Sequence, residues 1–108
     1  MVEFFKTVDG RITEVSEFTE GCWVNMVHPS SDELEQIAQA AQVEEEFVRA
    51  ALDPEESSRV DTEDEQLLMI VDIPMVEKSS VEDGGQLFST IPMGIVVAKS
   101  AVITVCLE

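Results

Sequence analysis

Carboxylates dominate the chemical repertoire of this chain. Its 108 residues hold 23 Asp and Glu against 6 Lys and Arg, a formal net charge of -17. Asp61, Glu63 and Glu65 alternate along the chain, so an extended backbone would point all of them the same way. Glu77, Glu82 and Asp83 crowd a later polar stretch that also holds Asp83-Gly84-Gly85. Hard divalent cations take oxygen ligands, and magnesium accepts sites with few carboxylates and several retained waters. The order Asp-x-Asp-x-Asp-Gly of an EF-hand is absent, so each cluster equally fits a solvated face. The field of the whole molecule favours cations and basic protein patches and repels phosphate backbones and anionic lipid. Nucleic acid is thereby excluded as a partner.

Other reactive groups are sparse. The single histidine, His28, precedes Pro29 at a strand-to-helix junction, with no second His or Cys at ligand spacing, and reads as a junction residue. Cys22 and Cys106 lie in apolar runs that read as strands; they are candidates for neighbours in a sheet and read as reduced core residues. Neither a Gly-x-Ser-x-Gly elbow nor a Gly-rich phosphate loop occurs. Without a nucleophile and its base, the chain is expected not to be an enzyme and to hold no tight cofactor. A metal-assisted hydrolase would need several carboxylates converging in a cleft.

The elements that must carry these groups follow from periodicity. Val2 to Val8 and Arg11 to Val15 flank Asp9-Gly10 as a hairpin, and Cys22 to Val27 alternates as a third strand with Trp23 on its other side. Ser30 and Glu33 form a capping-box pair ahead of Leu34, Ile37, Ala38 and Ala41, one helical stripe. A second helix is expected from Glu44 to Leu52. Leu67 to Val71 reads as a central strand buried on both faces and ended or bent by Pro74, while Glu77 to Gln86 reads as a polar hairpin connection. Arg59-Val60-Asp61 reads as a strand that leads through an acidic turn, Thr62 to Glu65, into Leu67, and Leu87 to Ala98 and Ala101 to Leu107 complete the set. The expected class is α/β in the broad sense (α+β): a mixed β-sheet of about six to seven strands with two or three helices packed on it, in the order βββ-αα-ββββ. Residues 1–108 make one domain, expected to be soluble: no signal peptide opens it, and its apolar runs fall short of the roughly 20 residues of a membrane helix.

In this order the landmarks resemble the start of the CorA-type magnesium and cobalt transporters. The similarity runs through Phe4 to Val15, Gly21-Cys22-Trp23-Val24-Asn25-Met26-Val27-His28-Pro29-Ser30, and Phe47-Val48-Arg49-Ala50-Ala51-Leu52-Asp53. It continues through Ser58-Arg59-Val60, Leu68 to Pro74, Ile91 to Val97 and Ile103 to Leu107. The resemblance implies an N-terminal domain at the cytoplasmic face of the membrane, joined to it only through C-terminal helices beyond Glu108. It implies self-association as a homopentamer, with divalent cations, Mg2+ or Co2+, bound between subunits to hold a closed state. The Gly-Met-Asn pore motif of the family does not occur, and Met93-Gly94 and Asn25-Met26 fall in expected strands. Glu77, Glu82 and Asp83 stand nearest to the family's regulatory acid, in the connection after the central strand. The alternative is a free-standing acidic module that binds a basic protein.

Overall fold

β-branched and aromatic residues on either side of a two-residue turn set the first hairpin. In the computed structural model, which describes residues 1–76 and 88–108, β1 (Val2–Val8) pairs antiparallel with β2 (Arg11–Val15). Asp9 and Gly10 both take positive φ, 51° and 77°, as a tight hairpin turn whose twist matches its strands requires. β3 (Cys22–Val27) pairs antiparallel with the other edge of β1.

The chain then crosses one face of the sheet. The Ser30 hydroxyl accepts from the Glu33 N–H at 3.1 Å, and the Glu33 carboxylate accepts from the Ser30 N–H at 2.8 Å, so the expected capping box starts α1 (Ser31–Ala41). Gln42 ends it in the left-handed conformation, φ 56°. The second helix is split: α2 (Glu45–Arg49) tightens into a 3-10 turn at Ala50–Leu52.

The cap has a pH signature. Hydrogen bonding from the Ser30 N–H, helped by the nearby N-terminal ammonium, holds the Glu33 carboxyl below its ordinary value against a weaker opposing effect of burial. A carboxyl with a depressed folded pKa stabilises the fold above its unfolded pKa, and that stability disappears as pH falls through the folded value. Glu33→Gln is therefore expected to flatten the acid limb of the stability profile below about pH 5. Melting curves between neutral and acid pH read this, and parallel profiles for the two proteins would count against the cap's role.

The return half is a meander of β4 (Arg59–Glu63), β5 (Gln66–Val76), β6 (Phe88–Val97) and β7 (Ala101–Cys106). All seven strands form one sheet in the order β2-β1-β3-β7-β6-β5-β4, with β3 and β7 parallel and every other pair antiparallel. This is the expected mixed sheet in the expected order, βββ-αα-ββββ. Pro74 does not end β5: it pairs with Thr90, and β5 continues to Val76. β4 reaches no further than Ile70, so the stretch holding Pro74 is an edge, where a missing donor is tolerated.

The core lies between the helices and one sheet face. Val24, Met26, Leu68, Val96 and Ile103 are fully buried against α1, α2 and the 3-10 turn, which contribute Leu34, Val48 and Ala51. Gly94 of β6 lets the 3-10 turn approach, since a Cβ there would stand 3.0 Å from the Ala51 Cβ. β5 is buried on one face only, not on both: Leu68 and Ile70 are in the core, while Val71 is 38% exposed. The helices of the described residues cover a single face, so Trp23, Val60, Val97 and Val102 stay exposed on the other. Among the described residues no helix is long and apolar enough to cross a membrane.

Candidate cation-binding site

Glu44, Glu63 and Asp64 bring carboxylate oxygens within 4.8 Å of one another, all exposed. Two chain segments distant in sequence meet here. Asp64 and Glu65 make the two-residue turn between β4 and β5, both at positive φ, 46° and 65°, a conformation that aspartate adopts more readily than most residues. Gln66, the first residue of β5, ties this turn to the junction between the helices. Its Oε1 accepts from the Glu44 N–H at 2.9 Å, and its Nε2 donates to the Gln42 carbonyl at 3.3 Å. Glu44, on the residue before α2, is thereby held beside the turn.

The surroundings are electronegative. α1 ends at Gln42 with no basic residue in its last turn, so its carbonyl end adds partial negative charge nearby. Three cations pair with other carboxylates: Arg49 with Glu45 at 2.6 Å, Arg59 with Glu56 at 3.3 Å and Asp61 at 3.0 Å, and Lys99 with Glu65. Glu44, Glu63 and Asp64 have no ion-pair partner among the described residues. Asp64 also borders a groove of about 370 Å³ that runs along Gln42, Glu65, Lys99 and Ser100. Three like charges at this spacing repel until a cation screens them, and their oxygens suit a hydrated divalent ion held through a few inner ligands.

The sequence-derived candidates fare differently. Glu63 joins the cluster, but Asp61 turns to Arg59 and Glu65 to Lys99, so the alternating stripe is not formed. The stripe required an extended backbone through Glu65, and the turn at Asp64-Glu65 breaks that extension. Glu77, Glu82 and Asp83 lie outside the described residues. Glu44 had no local signal, because its position depends on a bond to Gln66, 22 residues away.

His28 is exposed at φ 46°, its N–H donating to the Cys106 carbonyl at 2.9 Å, which is the junction role its place before Pro29 suggested. Cys22 and Cys106 are free and buried but are not neighbours. Cys22 pairs with Ala101 and Cys106 with Val27, at opposite ends of the β3–β7 ladder, roughly 16 Å apart by strand rise. Burial pushes the Cys106 thiol pKa up, which suits a packing residue rather than a reactive one.

No protein-family model matches the sequence, and no curated protein matches it either. Solved structures do match. Over the whole of this chain the fold superposes on the complete CorA magnesium transporter of Methanocaldococcus jannaschii, with a TM-score of 0.79 at 16% identity. The chain has the fold of the CorA soluble domain. That domain of the same transporter, solved separately, superposes with a TM-score of 0.77 at 17% identity, again over the full chain. This chain spans 32% of the length of the M. jannaschii transporter and 41% of its soluble domain. The expected order of elements is thus the order of that fold over this chain, and the carboxylate cluster lies at its β4–β5 turn.

Proposed function

We propose that this chain is the regulatory and assembly domain of a CorA-like divalent metal ion transporter, working at the cytoplasmic face of the membrane. In this reading it senses Mg2+, or Co2+, through acidic surfaces that face one another between the subunits of a homopentamer. Support comes first from the likeness of fold, over the whole of this chain, to part of a magnesium transporter's soluble domain. The observation that carries the sensing role is the convergence of Glu44, Glu63 and Asp64 without a cationic partner among the described residues.

The mechanism is electrostatic. With a net charge of -17, neighbouring copies repel, and a divalent ion shared between carboxylates lowers that repulsion at the points where subunits meet. Loss of internal magnesium removes the screen and frees the subunits to move, which is a charge change biasing a two-state assembly. The ion bound here regulates; transport belongs to membrane helices beyond Glu108.

Magnesium is expected to raise the melting temperature of this chain more than sodium does at matched ionic strength. A site with a Kd on the order of 1 mM contributes about 1.4 kcal/mol at about 10 mM ion, a rise of roughly 5 °C for a domain of this size. Calorimetry in the two salts gives the comparison. Equal shifts would mean plain screening and would remove the sensing role.

A further inference from the structure

A strand whose outer side is unpaired offers a row of free N–H and C=O groups on which another chain can build. Among the described residues such edges occur along β2, along β4, on β5 beyond the reach of β4, and on β6 beyond the reach of β7. β2 carries Arg11 and Glu14, and β4 carries Arg59, Asp61 and Glu63, charges that discourage edge pairing. β5 and β6 hold a single charged residue between them, Asp72. Their outer ends, Asp72 to Val76 and Phe88 to Pro92, pair with each other and with no third strand among the described residues. The charge that keeps copies of this chain apart is therefore thinnest here.

Register fixes which backbone groups face outward. Glu63 and Gln66 flank the two-residue turn Asp64-Glu65. Ala98 and Ala101 flank the turn at Lys99-Ser100, with the Ala98 N–H donating to the Ala101 carbonyl at 3.0 Å. Residues flanking such a turn exchange hydrogen bonds, and every second residue along each strand repeats the direction. Both turns lead to the same assignment: the even-numbered residues of β5 direct their backbone groups away from β6, and the odd-numbered ones toward it. Beyond β4 the outward positions are therefore Asp72, Pro74 and Val76. Pro92 of β6 is outward too, beside the end of β7. Each proline stands where its missing N–H would have pointed away from the β5–β6 ladder, so that ladder loses nothing.

We propose that Pro74 is an edge guard, barring the free end of β5 from antiparallel pairing with the same stretch of a second copy of this chain. The stretch is self-complementary about Pro74. A twofold axis there sets Asp72 of one copy opposite Val76 of the other and the two prolines opposite each other. Any other residue at the centre would exchange two hydrogen bonds across the axis; two prolines exchange none, and their rings fill the space that the donors would use. Pro92 has the same effect on the outer side of β6. Charge protects β2 and β4, and proline protects the nearly uncharged hairpin between them in sequence and β7. This inference goes beyond the regulatory reading and does not depend on it.

Pro74 is exposed, so its replacement opens no cavity in the core. Sedimentation over a concentration series in about 0.5 M NaCl, which screens the repulsion between copies, compares the parent chain with Pro74→Thr and Pro74→Lys. Pro74→Thr restores the donor on a good strand former and is expected to dimerise at concentrations about 10- to 100-fold lower than the parent, the effect of two regained ladder bonds. Pro74→Lys restores the same donor but adds charge, as on β2 and β4, and is expected to sediment like the parent. Amide hydrogen exchange locates the contact: the Asp72 and Val76 amides should exchange freely in the parent, with Ile73 and Met75 protected by β6, and should become protected in the Pro74→Thr dimer. A folded Pro74→Thr that sediments like the parent overturns the proposal, as does a dimer in which Asp72 and Val76 still exchange freely. Protected Asp72 and Val76 amides in the parent would show an edge already paired and would overturn it whatever the variants do. None of these results touches the magnesium response, so failure here is distinguishable from failure of the regulatory reading.

Discussion

Replacing Ile103 by alanine is expected to destabilise the chain by about 2–5 kcal/mol, whereas Val102→Ala, one residue away, should cost at most about 1 kcal/mol. Ile103 is completely buried in β7, the central strand of seven, and faces the helices. Truncation there loses the transfer energy of the deleted groups and leaves a cavity that a central strand cannot close. Val102 points to the open face and is 38% exposed, so its methyls lose little when removed. Against a total stability of about 5–15 kcal/mol for a domain of this length, Ile103→Ala should remove a large fraction. Urea denaturation of both variants, at constant m-value, gives the comparison. Equal costs would mean that the outer face is covered in the isolated chain.

Gly94→Val should be nearly as damaging, for the opposite reason. A Cβ at Gly94 meets the Ala51 Cβ at 3.0 Å, Val105 Cγ1 at 3.6 Å and Leu68 Cδ1 at 3.8 Å. The nearest of these is fixed to the backbone and cannot rotate away, so the 3-10 turn must lift off β6. Gly94→Ala is expected to cost about 1–3 kcal/mol by overpacking, reduced by about 0.4–1 kcal/mol through the restricted unfolded chain. Valine adds two further methyls to the same gap and should exceed that range. Pairing Gly94→Ala with Ala51→Gly tests the contact directly: the double variant should be more stable than the sum of the single changes predicts. Strict additivity would show that the close approach is not where the strain arises.

Much of this architecture could be read locally. Asp9-Gly10 gave the hairpin and its register because only a turn with positive φ matches the twist of two adjoining strands. Ser30 and Glu33 fixed the start of α1 to the residue, since both halves of the box lie within one turn. Pro74 misled, because whether a proline is tolerated depends on which neighbours a strand retains, and β4 stops short of it. The one-sided burial of β5 was hidden for a similar reason: a continuous apolar run has the same composition whether one or both faces are covered. The candidate site was half legible. Glu63 could be singled out by composition, but its partners depend on the turn at Asp64 and on Gln66 reaching across to Glu44, contacts that no spacing encodes.

The melting response of the Glu63→Gln/Asp64→Asn double variant puts the cation-sensing account to its most direct test. In sodium alone the variant should melt higher than the parent chain, because two of three mutually repelling charges are gone. Addition of about 10 mM magnesium at matched ionic strength should then raise the parent by roughly 5 °C and leave the variant almost unmoved. A variant that gains as much from magnesium as the parent would contradict the account, and would mean that these carboxylates are only part of an acidic exterior.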